Sequence, residues 1–214
     1  MRLEKLVFAA ALLFAPASFA QLPPGFFAAP PRPTVQVAMR TSMGDIILEL
    51  NRRAAPRTVA NFLRYIEDKH FDNTKFYRIV PGFVIQAGSL GVDGFGRPDR
   101  DPIPLEANNG LSNVRGAISM ARGEDPMSAQ AEYFIVLADR PDLDHRPDDM
   151  ENKTGYAVFG KVISGMDVVD QISMVQLGGM GPFGPAAPLE PVIIRAVEVL
   201  PPGAAITPAP APMP

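Results

Sequence analysis

Cysteine is absent from this 214-residue chain, so disulfide frameworks, thiolate metal sites and cysteine nucleophiles are all excluded. Tryptophan is absent too. Histidine occurs only at positions 70 and 145. These two stand far apart, in no metal-ligand spacing and beside no candidate nucleophile, so metal and triad chemistry have little to work with. No long basic run is present and the formal net charge is −3, which argues against nucleic acid as a main partner. What the chain does have is apolar material, 47% of its residues, enough for a sizeable core in one domain.

The ends differ in composition from the middle. Arg2 and Lys5 precede an apolar stretch from Leu6 to Ala15, and Ser18-Phe19-Ala20 places small residues ahead of Gln21. This is the layout of a secretory signal peptide over residues 1–20. The apolar run is too short for a bilayer-spanning helix, which needs about 20 residues. Residues 21–34 carry five prolines and residues 201–214 carry six. Proline fixes φ and offers no backbone donor, so both stretches are predicted to be extended, a linker and a tail. The expected domain is 35–200, exported to the periplasm, with no membrane insertion after cleavage, and monomeric.

Within it, Val35–Arg40 and Gly44–Leu50 read as a hairpin around the turn-like Thr41-Ser42-Met43-Gly44. Pro56 suits the first turn of a helix, and Val59, Phe62, Leu63 and Ile66 then form one apolar stripe. Lys75–Val80 and Val84–Ala87 read as strands broken at Pro81-Gly82. Residues 88–115 read as loops. Ala117–Ala121, Tyr133–Ala138, Ala157–Val162 and Val192–Leu200 read as further strands, with a short helix over Gly165–Ile172. Many short strands with two helices predict an all-β barrel or sandwich.

Two clusters invite functional readings that fail on inspection. Gly88, Gly91, Gly94 and Gly96 lack the Gly-Lys-Ser/Thr ending of a phosphate loop. Asp139, Asp142, Asp144, Asp148 and Asp149 lack the glycine and terminal glutamate of a calcium loop, and a solvated acidic loop is expected instead. The segment Phe76-Tyr77-Arg78-Ile79-Val80-Pro81-Gly82-Phe83-Val84-Ile85-Gln86-Ala87-Gly88 carries more. Taken alone it is a hairpin with one solvated arginine, and strand alternation sets Tyr77, Ile79 and the Phe83 ring on a different face from Arg78.

That segment resembles the signature of the cyclophilin family. Gly116-Ala117-Ile118-Ser119-Met120-Ala121-Arg122 resembles the family's second block, and Tyr133-Phe134-Ile135 its third. Tyr156-Ala157-Val158-Phe159-Gly160-Lys161-Val162 with Gly165-Met166-Asp167-Val168-Val169 resembles its fourth. The blocks stand in family order over residues 35–200. The resemblance implies a closed eight-stranded antiparallel β-barrel capped by two α-helices, peptidyl-prolyl cis-trans isomerase activity, and Xaa-Pro segments of unfolded or flexible proteins as partners. It implies Arg78 as the catalytic arginine and Gln86 as the glutamine that orients it. Phe83, Val84, Phe134 and Leu143 fall at proline-pocket positions, and Ala121 with the backbone of Arg122 at the strip that binds the substrate chain. No cofactor is needed, because no bond is broken in this reaction.

Three positions depart from the family pattern. Glu132 stands where glutamine is common, and a carboxylate there is expected to pair with Arg78 and compete with substrate. Tyr156 replaces a common pocket histidine. Asp142 falls near the position of a pocket aromatic. Glu132 keeps a second reading open, a proline-peptide binding or chaperone module with low turnover.

Overall fold

The computed structural model describes residues 32–148, 154–179 and 183–204. The signal-peptide and most of the linker and tail assignments therefore lie outside the described residues, as does Asp149. No described helix is long and apolar enough to cross a membrane.

The first strands, β1 (Thr34–Thr41) and β2 (Gly44–Asn51), pair in unbroken register from Thr34↔Asn51 to Thr41↔Gly44. The Thr41 hydroxyl closes their turn by donating to the Gly44 carbonyl at 2.6 Å and accepting the Met43 amide at 3.1 Å. Helix α1 (Pro56–Glu67) follows, with proline in its first turn. It has no local side-chain cap. Its first amides, on Arg57 and Thr58, donate instead to the Glu106 carboxylate at 3.1 and 2.8 Å, so a distant loop supplies the negative charge that helix N-termini favour. Val59, Phe62 and Ile66 are buried as the apolar stripe predicts, while Leu63 is half-buried at its edge.

The remaining strands are β3 (Thr74–Phe76), β4 (Arg78–Val80), β5 (Val84–Ala87), β6 (Ala117–Met120), β7 (Tyr133–Val136), β8 (Ala157–Ser164) and β9 (Val192–Val199), with helix α2 (Met166–Ser173) between the last two. All paired strands are antiparallel, in the order β3-β9-β1-β2-β8-β6-β7-β5-β4. The two ends of that order, β3 and β4, are separated along the chain by Tyr77 alone. The sheet therefore closes on itself into a nearly complete barrel.

This junction corrects the expected count of eight. The described residues form nine strands because the segment read as one strand over Lys75–Val80 changes partner midway. Phe76 pairs with Val192 of β9, whereas Arg78 pairs with Gln86 of β5. Phe76 and Tyr77 are both buried in succession, so the alternation slips by one residue there.

The barrel interior is filled by Met39, Leu48, Ile79, Ile85, Ile118, Ile135, Phe159 and their neighbours, all fully or nearly fully buried. The Phe62 ring of α1 lies 4.9 Å from Phe71, 5.2 Å from Phe159 and 5.4 Å from Tyr133, centroid to centroid, which ties that helix to the core. A second apolar cluster forms on the outer face of β5, β6, β7 and β8. Val84, Ala117, Ala121, Phe134, Val136 and Val158 are its buried members. Phe83, Leu111, Leu143 and Tyr156 pack against it from loops and strand ends.

Candidate active site

Local sequence explains how Arg78 and Phe83 come to one surface. Pro81 and Gly82 make a turn closed by the Phe83 amide donating to the Val80 carbonyl at 2.9 Å. Gly82 has φ +71°, with no neighbour near the position of a Cβ, so backbone conformation alone favours glycine there. The turn offsets the alternation. Phe83 consequently joins the outer cluster, with its ring centroid 6.0 Å from the Arg78 guanidinium carbon. This corrects the expectation that Phe83 lies on a different face from Arg78. Tyr77 and Ile79 are buried, while Arg78 points outward and is half-buried.

Around these residues lies an open groove of about 300 Å³, lined by Arg78, Phe83, Val84, Gln86, Ala121, Arg122, Phe134, Leu143, Tyr156 and Phe183. Every residue predicted for the site except Glu132 lines it. The floor is Phe134, whose ring meets Tyr156 edge-on at 5.4 Å. Arg122 lies over the other part of the Tyr156 ring at 4.8 Å and donates to the Gly155 carbonyl at 3.0 and 2.9 Å, which fixes that wall. Leu143 arrives on a short 3₁₀ turn (Pro141–Leu143), and its carbonyl accepts the Tyr156 amide at 3.0 Å. The Ala121 amide donates to the Glu132 carbonyl at 2.8 Å, a bond of the barrel wall.

Asp142, expected near an aromatic wall position, does not itself line the groove. It accepts two hydrogen bonds from Arg140, at 2.8 and 2.6 Å, which hold its carboxyl below the usual carboxylate range. The Arg140 guanidinium so oriented lies 4.1 Å from the Phe83 ring centroid. Arg140 thus sets a flat cation over the outer side of the Phe83 ring. The acidic loop is exposed at Asp139, Asp142 and Asp148, as expected, but two of its carboxylates also hold neighbouring chain. Asp139 accepts the Arg115 amide at 2.8 Å, and Asp144 accepts the Asn113 amide and side chain at 2.7 and 2.8 Å, so both carboxylates anchor backbone.

Polar contacts at the end of the groove are directional. Arg78 Nη1 donates to Gln86 Oε1 at 3.1 Å. Gln86 Nε2 donates to Tyr77 Oη at 2.7 Å. Tyr77 Oη in turn donates to Glu132 Oε2 at 2.6 Å, and Glu132 Oε1 accepts the Ser89 amide at 2.8 Å. The expected Arg78–Glu132 ion pair does not form among the described residues. The carboxylate turns away from the groove and is occupied by two donors. Burial first, and then the Glu132 charge, push the Tyr77 phenol well above its ordinary value, so it keeps its proton.

Two participants were not recognisable beforehand. Tyr77 looked like an ordinary inward strand residue, and nothing in the pattern reveals that its hydroxyl reaches sideways. Phe183 lies in the stretch Gly181-Pro182-Phe183-Gly184-Pro185, which drew no assignment from the sequence. Its ring stacks on Tyr77 at 4.9 Å and lines the groove while 38% exposed. A lone aromatic flanked by glycine and proline was the available signal.

Residues 36–199 match the family described as cyclophilin type peptidyl-prolyl cis-trans isomerase/CLD. A peptidyl-prolyl cis-trans isomerase of Streptomyces antibioticus is 42% identical over 164 residues, 77% of this chain and 98% of the relative. Peptidyl-prolyl cis-trans isomerase B of Escherichia coli is 40% identical, covering 76% and 98%. Peptidyl-prolyl cis-trans isomerase A of Dickeya dadantii is 38% identical, covering 78% and 85%. Among solved structures, a Cryptosporidium parvum cyclophilin type isomerase superposes with a TM-score of 0.66 at 24% identity, over 78% of this chain and 98% of that one. The same protein in the presence of the dipeptide Ala-Pro gives 0.65. At such identity the likeness speaks to the barrel alone.

Proposed function

Since this chain belongs to the cyclophilin-type peptidyl-prolyl cis-trans isomerase family and is an isomerase of Xaa-Pro bonds, we propose that Arg78 is its catalytic donor and the outer-wall groove its proline pocket. An Xaa-Pro bond is held planar by resonance, with a rotation barrier of about 18–20 kcal/mol. Twisting it localises a lone pair on the prolyl nitrogen. A guanidinium aimed at that nitrogen stabilises the twisted state more than either planar one, which lowers the barrier. Phe83, Phe134, Leu143 and Tyr156 grip the pyrrolidine ring while the remaining peptide turns.

The observation that carries this reading is the Arg78–Gln86 bond at the rim of an apolar groove. One Nη1 hydrogen is committed to orientation. The guanidinium has five N–H donors in a rigid fork, so others can point at substrate. A low-turnover binding module loses its main support, because Glu132 is held by Tyr77 and Ser89 instead of by the arginine. The test is a protease-coupled assay on an Ala-Pro-Phe peptide. R78A is expected to lower kcat/KM by roughly 100-fold. Unchanged acceleration in R78A would reject the assignment.

The clients we propose are exported proteins in the periplasm, reached through a signal peptide over residues 1–20 with the charge and apolar pattern described above. N-terminal sequencing of the protein recovered from a periplasmic fraction checks this. A start at Gln21 is expected, and an intact Met1 in that fraction would contradict it.

A further inference from the structure

We infer that Glu132 is a positioning residue that sets the direction of the hydrogen-bond chain through Tyr77 and Gln86, and thereby aims Arg78. This inference rests on the assignment of Arg78 as the catalytic donor.

An ionised carboxylate only accepts. Its Oε1 takes the Ser89 amide, and its Oε2 takes the single Tyr77 hydroxyl proton. With that proton committed, Tyr77 Oη can only accept from Gln86, so the Gln86 amide must turn its NH2 towards Tyr77. Its carbonyl oxygen is then left facing Arg78, where it accepts from Nη1. A reversed amide would set NH2 against a guanidinium N–H, two donors face to face. The acceptor-only character of residue 132 thus passes through two side chains to the guanidinium.

Glutamine at position 132 would lose this polarity. Its amide can donate to Tyr77 Oη, the Tyr77 proton can then turn to Gln86 Oε1, and Gln86 would present its NH2 to Arg78. The chain would run in either direction, with a productive and an unproductive form.

Independent features show that the carboxylate has a prepared seat. A Cβ at Gly88 would overlap the Glu132 carboxyl group, so the missing side chain there makes its room. The neighbouring Ser89 is held in place on its other side. Its hydroxyl donates to Asp99 Oδ1 at 2.5 Å and lies 3.1 Å from His70 Nε2. Phe183 packs on the Tyr77 ring at 4.9 Å. Tyr77 is buried while its hydroxyl still reaches both Glu132 and Gln86.

The test combines isomerase kinetics with the side-chain amide resonances of Gln86 by NMR, for E132Q, Y77F and the double variant. E132Q and Y77F are each expected to lower kcat about tenfold with KM little changed, and the double variant to be no worse than either single one. The Gln86 NH2 signals should shift or broaden in E132Q, which a merely structural role for Glu132 would not produce. Should E132Q fail to fold, Y77F removes the same link by one oxygen atom and is read in the same way. E132Q with parental or higher kcat, or losses that multiply in the double variant, would overturn the inference. If R78A abolishes turnover while E132Q is silent, this inference fails and the arginine assignment stands. If R78A itself is silent, both fail.

Discussion

The inner and outer apolar clusters of this barrel are built from the same strands and do different work. In β7, Tyr133 and Ile135 face inward and Phe134 and Val136 outward, yet all four are buried. In β5 the same holds for Ile85 and Val84. The inner set meets other inner side chains and is closed off by α1. The outer set is covered only in part, by Phe83, Leu111, Leu143 and Tyr156, and the part left open around Val84, Ala121 and Phe134 is the groove. Apolar residues on both faces of a barrel strand therefore mark the wall on which a site is built, since one face suffices for the core.

This contrast can be broken by paired truncations. Phe62→Ala empties the inner side, where Phe62 touches Phe71, Tyr133 and Phe159, and is expected to cost about 3–5 kcal/mol of stability, read by denaturant unfolding. The surviving folded protein should keep its KM. Phe134→Ala on the outer side is expected to destabilise less, because its cavity opens to solvent, and to raise KM in the isomerase assay. Equal stability losses with unchanged KM would erase the distinction between the two faces.

A smaller effect concerns His70, buried beside Ser89. Burial lowers the His70 pKa below its ordinary value of 6.5, with Asp99 and Asp68 opposing and Arg97 and Arg100 assisting. The unfolded chain then takes up this proton first as pH falls. Stability should therefore decline as pH drops through about 6.5, and the decline from this group should end below the depressed folded value. Unfolding midpoints at about pH 7.5 and 5.5 check this, and the His70 contribution should vanish in His70→Asn.

Much of the barrel was legible because its signals are local. The β1–β2 hairpin and the Pro56 helix start follow from turn chemistry and period, and the strand at Tyr133 from a short continuous apolar run. The ninth strand was not, because nothing near Tyr77 records that the chain exchanges β9 for β5. Alternation puts Phe83 on the wrong face because the Pro81-Gly82 turn shifts the phase by an amount that alternation cannot supply. Glu132 was the most misleading position. Proximity along a family pattern suggested an ion pair with Arg78, whereas the outcome depends on Gly88, Ser89 and Tyr77 offering the carboxylate better partners on the side away from the groove. Such choices are tertiary, and they decide what the site can do.

The proposed role of the Arg78 guanidinium is to accelerate rotation of a proline held in the outer groove. NMR exchange spectroscopy on an Ala-Pro-Phe peptide measures binding and cis-trans exchange separately in one sample. For R78A, peptide affinity within a few-fold of the parent and catalysed exchange reduced to near the uncatalysed rate are the expected results. Catalysed exchange in R78A as fast as in the parent would contradict the claim.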